Sequence, residues 1–174
     1  QYIENIARLI NNGHKSTIPI LDNYEELDLL QDSIKGKFQI GIRIASEEEP
    51  KFEFYTSRLG IGYKNIVPFY RKNLAENPNI ELKMLHFFIN TGIRDTAYYW
   101  NELLKCLKVY TNLKKECPTL DSLNIGGGFP IKNSLAFDYD YAYMVDEIIN
   151  QIKMACEEAD VDVPNIFTEF GSFT

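Results

Sequence analysis

Three consecutive glycines, Gly126-Gly127-Gly128, stand directly after the apolar stretch Leu123-Asn124-Ile125. Bare backbone N–H groups with little steric restriction suit a loop that wraps an anion such as a phosphate, and the same cluster also serves as a tight turn. Two named phosphate signatures are excluded: no GxxxxGK[ST] occurs, and a GxGxxG begun at Gly126 needs glycine where Ile131 stands. Other chemistry-bearing residues also end apolar runs. Arg43 lies in Gly41-Ile42-Arg43-Ile44, His86 in Leu85-His86-Phe87-Phe88, and Glu169 follows Ile166-Phe167-Thr168. A guanidinium at the end of a buried strand is costly alone, so Arg43 requires a partner. A carboxylate after such a run is expected to be sheltered rather than merely solvated. Asp22 reads either as a site residue or as a charge at a helix N-terminus.

The elements that position these residues are legible in the hydrophobic pattern. Five β-rich apolar runs cover residues 17–21, 38–44, 82–89, 123–125 and 165–170, with helical patterns between them. Asn23 and Glu26 form a capping box for a helix carrying Leu27, Leu30 and Ile34, which Gly36 stops. Further helices are expected at about 64–77, at 95–115 with Asp95 as N-cap, and at 138–159, ahead of Pro164. Strand–helix alternation with near-continuously apolar strands implies α/β architecture, a parallel sheet buried on both faces. Whether the sheet stays open or closes into a barrel is not fixed by periodicity. In either case ligands meet the C-terminal strand ends, where the unusual residues fall.

Composition limits the function classes. The 174 residues are 45% hydrophobic and 25% charged, with net charge −7 and a pI near 4.9. That balance argues against a nucleic-acid partner, which needs clustered Lys and Arg. No apolar run reaches the roughly 18 residues of a membrane span and no signal-peptide pattern opens the chain, so the cytoplasm is the expected compartment. Cys106, Cys117 and Cys156 fit reduced thiols better than a disulfide framework or zinc site. His14 and His86, the only histidines, are far apart, so no metal site is expected. The 11 Tyr and 11 Phe are assigned to core packing, as is Trp100. Both termini interrupt regular patterns and read as cut.

The strand-end residues resemble the biosynthetic arginine decarboxylases. These belong to the pyridoxal-phosphate decarboxylases with an alanine-racemase-like barrel, the group IV type that includes the ornithine and diaminopimelate enzymes. Asp22 with Glu26-Leu27 is similar to the family's Asp-x-x-x-Glu-Leu. Gly41-Ile42-Arg43 and Ser57-Arg58-Leu59-Gly60 resemble its Gly-x-Arg and Ser-Lys-Phe-Gly elements, and Leu85-His86-Phe87 with Ile93-Arg94-Asp95-x-Ala97 resembles a third segment. The fourth comprises Ile125-Gly126-Gly127-Gly128, Tyr141-Ala142, Ala155-Cys156-Glu157-Glu158, Pro164 and Thr168-Glu169-x-Gly171, and it points to the arginine branch.

The resemblance implies a partial (β/α)8 barrel with about five of its parallel strands present. Residues 1–174 would form one partial domain that binds pyridoxal phosphate, the Schiff-base lysine lying before it and a β-domain after it. The fragment alone would then be inactive. The intact protein would be a cytoplasmic homodimer, or a larger homo-oligomer, releasing carbon dioxide from L-arginine to give agmatine for polyamine and spermidine biosynthesis. Ornithine, lysine, diaminopimelate or a carboxylated polyamine remain alternative substrates, and a non-catalytic paralogue is the other reading. Mg enters as an optional cofactor by resemblance only.

Site roles follow from the same likeness. Glu169 matches the carboxylate paired with the pyridine nitrogen, where it keeps the ring protonated and electron-accepting. Gly126, Gly127 and Gly128 would offer N–H groups to the phosphate, and Gly171 belongs to the same set. Arg43 either supports the cofactor environment, alongside Glu169, or forms a structural ion pair. Phe88 stands where the family has a ring-stacking histidine, and His86 matches an earlier family histidine. Phe88 can stack but cannot hydrogen-bond or titrate, whereas Thr91 keeps a hydroxyl. Arg58 replaces a lysine, Ser172 replaces a phosphate-holding arginine, and Asn124 stands where Asp is common.

Overall fold

The apolar runs assemble into a parallel sheet, with helices returning the chain between strands. The computed structural model describes residues 1–45, 59–89, 96–128 and 140–169. In order, these form α1 (Tyr2–Asn11), β1 (Ile20–Leu21), α2 (Glu25–Ser33), β2 (Phe38–Ala45), β3 (Ile61–Gly62), α3 (Tyr63–Asn73), β4 (Ile80–Phe87), α4 (Thr96–Lys114), β5 (Ser122–Asn124), α5 (Tyr141–Ala159) and β6 (Asn165–Phe167). The strand order is β1-β2-β4-β5-β6, with β3 pairing β2 off that path, and every pairing is parallel.

The sheet's centre is the α/β core anticipated from the pattern. Ile40, Ile42, Leu82, Leu85 and Leu123 are at most 1% exposed and stand in register, which places one face of β2, β4 and β5 in the core. α5 buries Met144, Ile148, Ile152 and Cys156, a four-residue spacing that keeps one face on the sheet. α4 does the same with Leu103, Cys106, Leu107 and Tyr110. Each such side chain contributes about 1.5–3 kcal/mol on burial, so the return helices are held by tertiary packing more than by propensity.

Helix boundaries differ from the pattern by a few residues, for local reasons. Asn23 Oδ1 accepts from Glu26 N–H at 3.1 Å, while the Glu26 carboxylate reaches Asp22 N–H at 2.7 Å instead of the N–H of Asn23. The capping box is thus displaced by one residue. α5 begins at Tyr141, not 138, because Asp140 caps it by accepting from Tyr143 N–H at 3.0 Å. α3 closes at Asn73 instead of 77. The expected cap Asp95 lies outside the described residues.

Two differences in the strands matter more. β3 is a sixth strand that the hydrophobic pattern missed, since two residues carry no period. β6 is exposed at all three positions, with Ile166 39% and Phe167 45% accessible, so the expectation that every strand is buried on both faces fails there. β6 pairs only with β5 among the described residues and is an edge of the sheet. No helix among the described residues is long and apolar enough to cross a membrane.

Candidate functional site

Register determines which strand-end side chains share a surface. Arg43 on β2 is aligned with His86 on β4, His86 with Asn124 on β5, and Asn124 with Phe167 on β6. Aligned residues of parallel strands project to the same side. Arg43, His86 and Asn124 therefore form a polar row on the face opposite to buried Ile42, Leu85 and Leu123. The row lies at the C-terminal ends of its strands.

At one end of the row, Arg43 Nη1 lies 3.4 Å from Asp22 Oδ1, the side chains being 18% and 31% exposed. The guanidinium carbon also sits 5.4 Å from the centre of the Phe88 ring, a cation–π contact. Arg43 thus has the partner its burial requires, and that partner is Asp22. The chain folds this way locally because Asp22 ends β1 while its own N–H and C=O are taken by Glu26 and by the Gly60 N–H.

At the other end, Glu169 follows β6 with its side chain 49% exposed, more open than its apolar approach suggests. Its Oε1 accepts from Asn124 Nδ2 at 2.9 Å, and its N–H donates to the Gly126 carbonyl at 2.9 Å. His86 Nε2 lies 3.5 Å from the same Oε1, but it is buried and makes no hydrogen bond. Burial pushes the His86 imidazole below its ordinary value, with Arg43 acting in the same direction against Glu169 and Asp22. Desolvation outweighs the nearby carboxylate, so His86 is a neutral ring at neutral pH and its contact with Glu169 is not an ion pair.

The glycine loop packs directly against the backbone of Glu169. Gly126 has φ +70°, and a Cβ there would stand 2.8 Å from the Phe87 carbonyl oxygen; a Cβ on Gly127 would stand 2.6 Å from that of Glu169. Both neighbours are backbone, so side chains are excluded for lack of room. Gly126 N–H donates to Asn124 Oδ1 at 2.8 Å, while no described residue accepts from the N–H of Gly127 or Gly128.

The structure thus brings together Arg43, Phe88, Gly126, Gly127, Gly128 and Glu169, with Arg43 at one end of the row, the glycines and Glu169 at the other, and Phe88 against both Arg43 and Gly126. Thr91, Gly171, Arg58 and Ser172 lie outside the described residues. Asn124, which sequence reasoning treated only as a lost charge, links the loop to Glu169, and His86, set aside as an earlier histidine, faces the carboxylate. Their signal was positional: each is a polar residue at the C-terminal end of its strand, next to a buried leucine, and the two fall in register. No group of three or more His, Cys, Asp or Glu side chains able to hold a metal occurs among the described residues.

Comparison with known proteins gives the family and the fold. The family model described as pyridoxal-dependent decarboxylase, pyridoxal binding domain, matches residues 3–174. A biosynthetic arginine decarboxylase from Geobacter sp. (strain M21) is 24% identical over the whole chain, which spans 30% of that relative's length. Among solved structures, diaminopimelate decarboxylase from M. jannaschii in co-complex with L-lysine superposes with a TM-score of 0.78 at 21% identity, covering 96% of this chain and 40% of that one. Biosynthetic arginine decarboxylase from Campylobacter jejuni gives 0.71 at 20% identity, covering 97% and 29%. At these identities the superpositions establish the fold, a parallel α/β sheet of the decarboxylase barrel.

Proposed function

Since the chain belongs to the pyridoxal-dependent decarboxylases through their pyridoxal-binding domain, we propose that residues 1–174 form the larger part of a cofactor-binding barrel in an L-arginine decarboxylase producing agmatine for polyamine synthesis. The single observation that carries this reading is the convergence, at the ends of β4, β5 and β6, of a glycine cradle and a carboxylate whose nearest described partners are uncharged. Two features fit a phosphorylated pyridine. The cradle has no room for a Cβ at Gly126 or Gly127, and the orphaned, buried His86 Nε2 faces the same space as Glu169.

When bound, pyridoxal phosphate supplies an electron sink for the pair left as carbon dioxide departs. The residues of this chain have separate tasks. Gly127 and Gly128 offer backbone N–H groups to the phosphate, and Gly126 shapes the loop. Glu169 would serve the pyridine nitrogen, favouring its protonated form, and Phe88, backed by Arg43, would offer a face to the ring; Arg43 is kept in place by Asp22. By family likeness Thr91 and Gly171 complete the cradle. The lysine that carries the cofactor and the β-domain that reads the substrate side chain are assigned to other parts of the protein, which acts in the cytoplasm as a homodimer.

A second substrate reading rests on the M. jannaschii relative, whose solved complex holds L-lysine; another basic or diamino acid would use the same residues. A non-catalytic cofactor-binding paralogue is favoured by one observation, the Phe88 ring taking the place of a titratable imidazole beneath Arg43. The deciding experiment is carbon dioxide release by the full-length, cofactor-loaded protein offered L-arginine, L-ornithine, L-lysine and diaminopimelate in parallel. Fastest release from arginine is expected. Bound-cofactor absorbance without release from any of the four would defeat the enzyme reading.

A further inference from the structure

The Glu169 carboxylate is half exposed, and the last torsion of a glutamate is broad and two-fold, so a single contact leaves its direction loose. Two residues on neighbouring strands face it. Asn124 of β5 donates from Nδ2 to Oε1 at 2.9 Å, and His86 of β4 brings Nε2 to 3.5 Å from that same oxygen. Among the described residues no side chain bonds Oε2. The backbone of Glu169 is fixed separately, through its N–H bond to the Gly126 carbonyl at 2.9 Å. The protein thus gathers one carboxylate oxygen and leaves the other.

His86 Nε2 is buried and makes no hydrogen bond, and burial keeps the ring neutral, so its proton sits on one nitrogen only. The Nδ1–H tautomer would turn the Nε2 lone pair against an anion, whereas the Nε2–H tautomer aims a donor at it. A carboxylate oxygen has two lone pairs, so Asn124 does not exclude His86 from Oε1. Contacts of this length in ligand-free sites tighten when the ligand docks. The charged groups around the imidazole are Arg43 of β2, already paired with Asp22 after β1, and Glu169 itself. We propose that His86 is a positioning residue for Glu169, whose Nε2–H joins Asn124 Nδ2 on Oε1 and so presents Oε2 to the pyridine nitrogen. This donor does not depend on the residue at 124, and it is the one that remains where that residue is Asp. The inference rests on the reading that Glu169 serves the pyridine nitrogen, and His86 acts through Glu169.

The test loads the full-length protein with pyridoxal phosphate and follows the NMR resonance of the pyridine nitrogen through a pH titration. His86→Leu, which cannot donate, should lower the pH at which that nitrogen gives up its proton by about one unit, a tenfold change in the equilibrium. His86→Gln, whose amide nitrogen can reach the place of Nε2, should restore most of the shift. A residue that only fills space would leave the midpoint unmoved or would be replaced equally badly by both. An unmoved or raised midpoint in His86→Leu, or no rescue by glutamine, therefore overturns the proposal. A second measurement needs no variant: the ring-nitrogen shifts of His86 in the wild-type protein should report the Nε2–H tautomer, and the Nδ1–H tautomer overturns the proposal even if His86→Leu does not fold. Wild-type protein that binds no pyridoxal phosphate, or a midpoint that Glu169→Gln does not move, would instead defeat the proposed function. The tautomer then still decides whether His86 donates to Glu169.

Discussion

The two ends of the polar row solve the same problem with different chemistry. At the β1–β2 end, Arg43 is matched by the opposite charge of Asp22 and capped by the Phe88 face, so its charge is consumed within the fold. At the β5–β6 end, Glu169 is bonded by the Asn124 amide and, through its N–H, by the Gly126 carbonyl, and among the described residues no Lys or Arg pairs with it. The proposed function gives the second corner, and not the first, the task of meeting a cationic ligand group.

The largest expected effect separates those corners directly. In the full-length protein, Glu169→Ala should lower turnover on the order of 10²–10³-fold, the range for removing one preorganised electrostatic contact, while cofactor content measured by absorbance falls far less. Equal losses would mean that Glu169 only holds the fold. Next, Gly126→Ala introduces a Cβ at φ +70° against the Phe87 carbonyl, and should cost on the order of 1–3 kcal/mol in denaturant unfolding. Arg43→Met should cost only about 1 kcal/mol, because the Asp22 pair is partly open to solvent. An Arg43 loss as large as that of Gly126→Ala would erase the distinction between the two ends.

The smallest effect is a pH dependence. His86 binds its proton less readily folded than unfolded, so its contribution to stability is complete above the ordinary imidazole value of about 6.5. It declines as pH falls from there toward the lowered folded value, because the unfolded chain takes up the proton first. Melting temperatures of wild type and His86→Gln should therefore converge as the pH is lowered from about 7.5 to about 5. Parallel curves would mean that burial does not hold the ring neutral.

Much of this architecture is legible in residue types. The apolar runs between 38 and 44 and between 82 and 89 became the central strands β2 and β4, whose Ile40, Ile42, Leu82 and Leu85 face is buried while the opposite face carries Gln39, Arg43, Glu81 and His86. The glycine triplet after β5 and the strand-end positions of Arg43 and Glu169 were also readable, since strand termini follow from where apolar runs stop. β3 escaped because pairing with β2, and not any period of its own, makes two residues a strand. The accessibility of β6 escaped for a related reason: Ile166 and Phe167 have buried-strand chemistry, yet among the described residues β6 pairs only with β5.

By itself, then, the sequence determined the alternation of strands and helices, the parallel sheet that alternation demands, and the set of residues delivered to the strand ends. These are local properties, set by side-chain polarity and period. Which of those residues meet was decided by tertiary structure alone. The register of β4, β5 and β6 puts His86 beside Asn124, the left-handed turn at Gly126 brings its carbonyl to Glu169 N–H, and Glu169 Oε1 is bonded by the Asn124 amide instead of by Arg43. Hydrogen bonds act over about 3 Å, whereas these partners are tens of residues apart in the chain, so only the folded sheet could select them.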